Sequence, residues 1–542
     1  MVFHTMFYRE NPRSIGEMVR GGFLSPYGCK INGDASIWPS GCTHDSRQMQ
    51  PGWLYFAVPG NRTNGAKYIE QAIATGAIAV VTELKYLGKL GKAHPEITFV
   101  RVPSVREVMG LWSAYIWGSA DIDLNLVGVT GTNGKTSIAY MASGLLHQLG
   151  QGPVATIGTL GYDDGTGAVP TGNTTPEAPL FQQLIKRAAD SNCKTVVAEV
   201  SSHAMDLQRV DDACFRVVVF SNLSEDHLDH HGDMESYYRA KAKLFVENPY
   251  AVAIVCVDTP WGVRLVRHLR ARAREEHNSD FMREIITVSA TGKRADHYAK
   301  NIKCTLDGIT YTHRVRGDKT AYEARLKWLG EHNVENALLA AAIADTLYEY
   351  DVLTPADWRT KTQKIVAALS QVPLVPGRVE PVPNDAGLHI FIDYAHTPEA
   401  LASVVAGMRA VSDKPITLMM GVPGDRGKEG WQRLAQAAGE NADHVILTED
   451  DMKKGTLAEC FKVAGAVLEK SAASWELVEN RWSAIGAAVA RAKQGEIALI
   501  CGLGHQKTLI SEGYNVIEID EIAAAKLAIS GGDPSTLDPR NR

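Results

Sequence analysis

The segment Thr130-Gly131-Thr132-Asn133-Gly134-Lys135-Thr136 lies between an apolar run and a helical stripe. Successive backbone N–H groups in a Gly-rich turn, with a helix N-terminus behind them, form a nest for phosphate oxygens. Lys135 is placed to neutralise charge on the β- and γ-phosphates, and Thr136 to reach a Mg2+ ion. The turn departs from the common phosphate loop at Val129, which stands where that loop has its first glycine. Glu199 ends the apolar run TVVAE. Carboxylates at strand ends line the crevice where open α/β sheets bind ligands, so Glu199 is the candidate partner of Thr136 on the metal. His227 belongs to EDHLDHHGD (225–233), a set of imidazoles and carboxylates of the kind that binds zinc or iron. Within it His230 and His231 read as solvated surface histidines. Lys241, flanked by Arg239 and Lys243, reads from its neighbours alone as a solvent-facing helix lysine.

Positioning these groups requires a particular kind of scaffold. Runs rich in Val and Ile recur at 77–82, 124–131, 195–202, 216–223, 251–258, 389–396, 416–424, 444–451 and 496–505. Continuous apolar strands alternating with helical patterns predict an α/β protein with parallel sheets covered on both faces. After Lys135, the residues Ile138, Met141, Leu145, Leu146 and Leu149 recur at helical spacing. Breaks fall at ADIDL (120–124) and at QVPLVPGR (371–378), where two prolines interrupt the pattern. Three domains are expected, over 1–123, 124–375 and 376–542. The tail 531–542 is expected to fray.

At 542 residues the chain is too long for one hydrophobic core. Its 45% hydrophobic and 22% charged residues exclude disorder as the main state. A net charge of −6 argues against general nucleic-acid binding. Eight cysteines without a CxxC pair suit a reducing compartment. The first 18 residues have no apolar core of signal-peptide length, and no run approaches the ~18 residues of a membrane span. The expectation is a cytoplasmic monomer with neither nucleic-acid nor membrane partners.

GVTGTNGKT (128–136) resembles the nucleotide loop of the Mur ligase superfamily, whose members join a carboxylate to an amine using ATP. Further segments agree in order along nearly the whole chain. Asp45-Ser46-Arg47 followed by PGWLYFAVPG (51–60) is similar to the uridine-nucleotide domain of the MurE type. Asn173-Thr174-Thr175-Pro176, Glu199-Val200-Ser201-Ser202-His203, DHLDHHGDMESYYRAK (226–241) and HNVENALLAA (332–341) fit the central domain. Gly377-Arg378-Val379-Glu380, Asp393-Tyr394-Ala395-His396-Thr397-Pro398 and Gly424-Asp425-Arg426 fit the C-terminal one. The resemblance implies a three-domain ligase with a P-loop ATPase-like central sheet and a Rossmann-like C-terminal domain. Its substrates would be a UDP-N-acetylmuramoyl dipeptide, a free amino acid and ATP. The reaction would pass through an acyl phosphate in peptidoglycan precursor synthesis. It further implies a second Mg2+ held by His227, and a Lys241 carbamylated by CO2 that bridges to magnesium. Asn333 and Asn336 become candidates for the adenine contact, although an asparagine at a helix start also serves as a cap. Arg378 and Asp393 would close over the ATP phosphates and ribose. Ser46, Asn173, Thr174, Thr175, Ser201 and Arg209 would contact the uridine nucleotide.

The pattern breaks where the amino acid should sit. The diaminopimelate-adding branch carries D-N-P-R, which here reads Asp450-Asp451-Met452-Lys453, and its GKGHE reads Gly502-Leu503-Gly504-His505-Gln506. An Arg-to-Lys change loses bidentate carboxylate recognition but keeps a point charge. Arg426, Asp450, Asp451, Lys453, Gly502 and Gln506 are therefore the candidate amino-acid site. Asp451 favours a basic amino acid such as L-lysine, paired through its terminal amine. The rival is meso-diaminopimelate, with Lys453 holding its distal carboxylate. A folylpolyglutamate-synthase-like enzyme is the second alternative, opposed by the N-terminal DSR…PGWLYF segment. A non-catalytic nucleotide-binding protein is the third, opposed by intact Lys135, Glu199, His227, Lys241, Arg378 and Asp393.

Overall fold

A computed structural model describes residues 14–21, 29–60, 64–84, 87–275, 284–349 and 354–541. The N-terminal stretch read for a targeting signal lies largely outside them. The chain divides into two compact units, one of Met1–Lys300, Thr312–Ala324 and Val334–Val372, the other of Asn301–Tyr311, Arg325–Asn333 and Pro373–Arg542. All nine apolar runs contain strands.

In the first unit, β1 (Lys30–Asn32), β2 (Cys42–Thr43), β3 (Leu54–Phe56), β4 (Ala79–Thr82) and β5 (Thr98–Arg101) form a sheet of order β1-β5-β4-β3-β2. The second sheet comprises β6 (Asn125–Thr130), β7 (Val154–Gly158), β8 (Gly161–Asp163), β9 (Thr195–Glu199), β10 (Val217–Phe220), β11 (Val252–Cys256), β12 (Ile285–Ser289), β13 (His297–Thr305), β14 (Gly308–Val315) and β15 (Tyr322–Leu326). Its order is β15-β14-β13-β12-β11-β10-β6-β9-β7-β8, and residues 301–305 of β13, 308–311 of β14 and 325–326 of β15 belong to the second unit. The strands β6, β9, β10 and β11 run parallel and are almost wholly buried, as their unbroken apolar runs require. Parallel pairing puts their C-terminal ends, Thr130, Glu199 and Phe220, along one edge. The site residues leave the sheet there.

Helix Lys135–Gln148 buries Ile138, Met141, Leu145 and Leu146, four of the five positions of the predicted stripe; Leu149 is its half-buried C-cap. Helix Met234–Val246 starts at Asp233, whose side chain accepts the Ser236 N–H. Its buried stripe is Tyr237, Tyr238, Lys241, Leu244 and Phe245. Lys241 is thus on the core face at 1% exposure, not toward solvent. Neighbouring charges misled the sequence reading; the i, i+4, i+8 spacing from Tyr237 to Phe245 governs its direction.

In the second unit, β16 (Glu380–Pro381), β17 (Ile390–Asp393), β18 (Ile416–Val422), β19 (His444–Glu449), β20 (Ser474–Leu477) and β21 (Ile497–Cys501) pair in the order β16-β17-β21-β18-β19-β20. Among the described residues of this sheet, only the β16–β17 pair is antiparallel. One core cluster covers each face. The tail does not fray. Asp538 accepts from Asn480, and Arg540 makes two hydrogen bonds to the buried Glu449 carboxylate at 2.6 and 2.8 Å. Satisfying that buried anion is what holds the last turns down.

Candidate active site

The turn after β6 is held by close backbone approach. Gly131 (φ +149°) and Gly134 (φ +85°) take conformations that favour glycine, and a Cβ on either would strike Ser221 Oγ or Asn336 Oδ1. Ser221 donates to the Asn133 carbonyl (2.7 Å), and the Asn133 N–H donates to Asn222 Oδ1 (3.0 Å). The Thr132 hydroxyl lies 3.2 Å from the Tyr237 hydroxyl. Lys135 Nζ folds over its own loop, donating to the Gly131 (3.0 Å) and Thr132 (2.8 Å) carbonyls. Burial pulls its ammonium below the usual lysine range, against the opposing pull of Glu199 and Asp226.

Glu199 is 2% exposed. The Thr136 hydroxyl donates to its Oε2 (3.0 Å), and the Thr159 N–H donates to its Oε1 (2.8 Å). Burial pushes the carboxyl above the ordinary glutamate range. A half-buried hydroxyl beside a buried carboxylate, both offering only oxygen, is a donor set suited to Mg2+. His227 caps a short helix at φ +53°, with a half-exposed ring 3.4 Å from Asp226. Lys241 Nζ donates to the Gly131 carbonyl (2.8 Å) and sits over the Tyr237 ring. Among the described residues it forms no ion pair with a carboxylate. Burial first, then Lys135, lowers its pKa far below that of a free lysine. So the phosphate-loop turn, Glu199 and Lys241 converge around Gly131 and Thr136. Sequence reasoning did not assign Thr159, Ser221, Asn222 or Tyr237 to the site. Of these Ser221 and Asn222 lie within the apolar run 216–223 and Tyr237 within the motif 226–241, whereas Thr159 carried no signal.

The candidate uridine-nucleotide residues are spread over this unit. Ser46 is buried and donates to Gln71 (3.0 Å); Thr174 lies 3.1 Å from Thr159 through their hydroxyls; Asn173 is exposed. Thr175 donates to the Glu199 carbonyl (2.8 Å), and Ser201 caps helix Ser202–Asp206. Arg209 is braced by Glu177 (3.0 Å) and the Thr175 carbonyl. His231 departs from the surface reading: its side chain is 3% exposed, bonded to Ser202 and stacked on Tyr237.

In the second unit, Asn333 is buried and donates to the Leu329 carbonyl. Both Asp393 oxygens accept backbone N–H groups, from Val379 and Ala395, at 2.7 Å. Val379 has φ +46°, a strained value for a β-branched residue, so Asp393 clamps the turn that carries Arg378. Arg378 lies over the Tyr394 ring. A cavity of about 380 Å3 gathers Tyr394, His396, Asp425, Arg426, Asp450, Asp451, Lys453, Gly502 and Gln506. Asp451 accepts the Ile510 N–H (2.8 Å) and lies 3.8 Å from Lys453, which is 4.0 Å from Asp425. Asp450 faces the buried Arg481 at 3.8 Å.

A phosphate-loop sheet followed by a parallel α/β unit with a charged cavity defines a class, the nucleotide-dependent ligases of the Mur fold. Residues 129–344 match the Mur ligase middle domain, 377–504 the Mur ligase glutamate ligase domain, and 40–110 the Mur ligase family catalytic domain. The UDP-N-acetylmuramoyl-L-alanyl-D-glutamate–2,6-diaminopimelate ligase of Caldanaerobacter subterraneus is 32% identical over 492 residues, 91% of this chain and 95% of that one. The enzyme of the same name from Streptomyces avermitilis is 34% identical over 88% of this chain and 89% of its own. A solved diaminopimelate ligase of that name superposes with a TM-score of 0.67 at 27% identity, covering 96% and 99% of the two chains. The chain belongs to the Mur ligase family and, as a member, is an ATP-dependent carboxylate–amine ligase. Among the described residues, no helix is long and apolar enough to cross a membrane.

Proposed function

We propose that the chain adds 2,6-diaminopimelate to the D-glutamyl carboxylate of UDP-N-acetylmuramoyl-L-alanyl-D-glutamate, with conversion of ATP to ADP and phosphate. The observation that carries the choice of amino acid is the alternation of charge in the cavity: Arg426 and Lys453 beside Asp425 and Asp451. The far end of diaminopimelate carries both a carboxylate and an ammonium and can satisfy both signs. L-Lysine has no distal carboxylate to offer Arg426 and Lys453. Asp451, moreover, already accepts a backbone N–H and faces Lys453, which weakens the case for lysine made from sequence. The relatives described above are diaminopimelate ligases, in line with this choice.

Carboxylate oxygen is a poor leaving group until it is phosphorylated. In this reading a carboxylate oxygen attacks the γ-phosphorus of ATP, ADP leaves, and the amine then displaces phosphate from the acyl phosphate. Mg2+, when bound, supplies positive charge at the transferring phosphoryl oxygens. Thr136 and Glu199 are the residues that would hold one Mg2+, and His227 a second. The 131–136 backbone N–H groups cradle the phosphates, and Lys135 unfolds from its own loop to meet them. Lys241, whose pKa burial lowers, would add through its unprotonated amine nitrogen to CO2 and lose a proton, giving an anionic carbamate.

Comparing kcat/KM for meso-diaminopimelate, L-lysine and L-ornithine tests the amino acid. Diaminopimelate should win by at least tenfold, and Lys453→Ala should narrow that margin. A clear preference of the unaltered enzyme for L-lysine would overturn the choice and leave the ligase chemistry standing.

A further inference from the structure

Asp206, His230 and His231 face one another on the first unit. Asp206 ends helix Ser202–Asp206, and the two histidines lie on the four-residue helix Leu228–His231. Adjacent helical residues diverge by about 100°, so a neighbouring pair rarely serves one point. Here left-handed His227 (φ +53°) and Gly232 (φ +79°) bracket the turn, and both rings still reach Asp206. Asp206 Oδ2 lies 3.2 Å from His230 Nε2 and 3.4 Å from His231 Nδ1. All three donor atoms fall within 4.8 Å of one another.

We infer that Asp206, His230 and His231 form a binding site for a zinc-class divalent cation, separate from the residues proposed to hold Mg2+. The donor set is two imidazoles and one carboxylate, the borderline-soft combination zinc takes with an open fourth position. The spacing agrees. Tetrahedral bonds of 2.0–2.1 Å place ligand atoms about 3.3 Å apart, which matches both Asp–His separations. Octahedral Mg2+ at similar bond lengths needs edges of about 2.9 Å and prefers oxygen.

The rings are also held in place before any ion arrives. The other nitrogen of His231, Nε2, lies 2.9 Å from the buried Ser202 hydroxyl, and its ring stacks on Tyr237. A hydrogen bond to the distal nitrogen is the usual means of orienting a metal-ligating histidine. His230 stacks on His203 with centroids 4.1 Å apart and planes 27° from parallel. Side chains of Asp206 and His230 are each about one-third exposed, so an ion has an entry path. A bound ion would pin the 228–231 turn, and with it neighbouring His227, onto helix Ser202–Asp206.

The test is zinc binding to the full-length protein in excess MgCl2, by competition with a chromophoric chelator. One zinc per chain is expected. His230→Ala and Asp206→Asn should each weaken it at least tenfold, and Ser202→Ala by roughly tenfold through the lost orienting bond. Co2+ loaded in place of zinc should give the intense visible bands of a tetrahedral site, lost in His230→Ala. Circular dichroism of each variant separates lost binding from lost folding, and the exposed His230 is the position most tolerant of change. Absence of zinc binding would overturn the inference. So would binding unchanged in both folded ligand variants, or a purely octahedral cobalt spectrum.

Discussion

At the scale of single residues, the site depends on charges that the fold holds away from their ordinary states. Lys135→Ala should abolish ligation while leaving the uridine nucleotide's affinity within a fewfold, because the candidate uridine contacts lie elsewhere in the unit. Product formed at a comparable rate would refute its role. Lys241→Ala should be inactive and partly rescued by short carboxylates that fill the vacated anionic position. A high-resolution density map of substrate-bound crystals with a bare ammonium at Lys241 would count against the carbamate. Outside the site, Asp121 shows the same physics as a matter of stability. Its Oδ2 accepts the Cys214 N–H, its Oδ1 is buried without a partner, and burial pushes its pKa from 3.8 to about 6. A carboxyl whose folded pKa is raised contributes stability below the unfolded value, and that contribution is lost as pH climbs through about 6. The penalty above pH 6 is about 3 kcal/mol, at 1.36 kcal/mol per unit. The difference in melting temperature between Asp121→Asn and the unaltered protein should therefore move in the variant's favour between pH 4 and pH 7. A difference that does not change with pH would refute this.

At the scale of elements, what was legible followed from periodicity. The strand runs and the helix after Lys135 announced themselves because parallel strands buried on both faces must be apolar throughout. The turn 130–136 was legible because phosphate nests need glycine at fixed offsets. Lys241 shows the limit: charged neighbours outvoted a stripe of Tyr237, Leu244 and Phe245 that was already visible. Thr159 gave no warning, since a lone threonine beyond β7 reaches Glu199 only through the sheet order. Nor did the tail, whose Gly, Asp and Pro content reads as loose chain while its anchor, Glu449, lies 91 residues away. That anchor is testable. Arg540→Ala strands a carboxylate that is 3% exposed, and removing one partner of a buried pair costs 3–5 kcal/mol. Arg540 is itself one-third exposed and the Arg481 N–H still serves Glu449, so a loss of about 2 kcal/mol is expected, read from urea unfolding of the second unit.

At the scale of the whole molecule, the two units carry separate cores and separate candidate sites. The phosphate loop belongs to the first and the charged cavity to the second. A 542-residue chain organised this way is not expected to melt as one cooperative block. Calorimetry should resolve more than one transition, and ligands should sort them. A ligand that binds only the folded form adds about 2.7 kcal/mol at 100 times its Kd. ATP with Mg2+ should raise the transition of the first unit, and diaminopimelate that of the second. Arg540→Ala should lower the second transition and leave the first in place, which assigns the peaks independently of either ligand. A single transition that all three perturbations shift together would show the units to be energetically one body, and this division of the molecule would then be wrong.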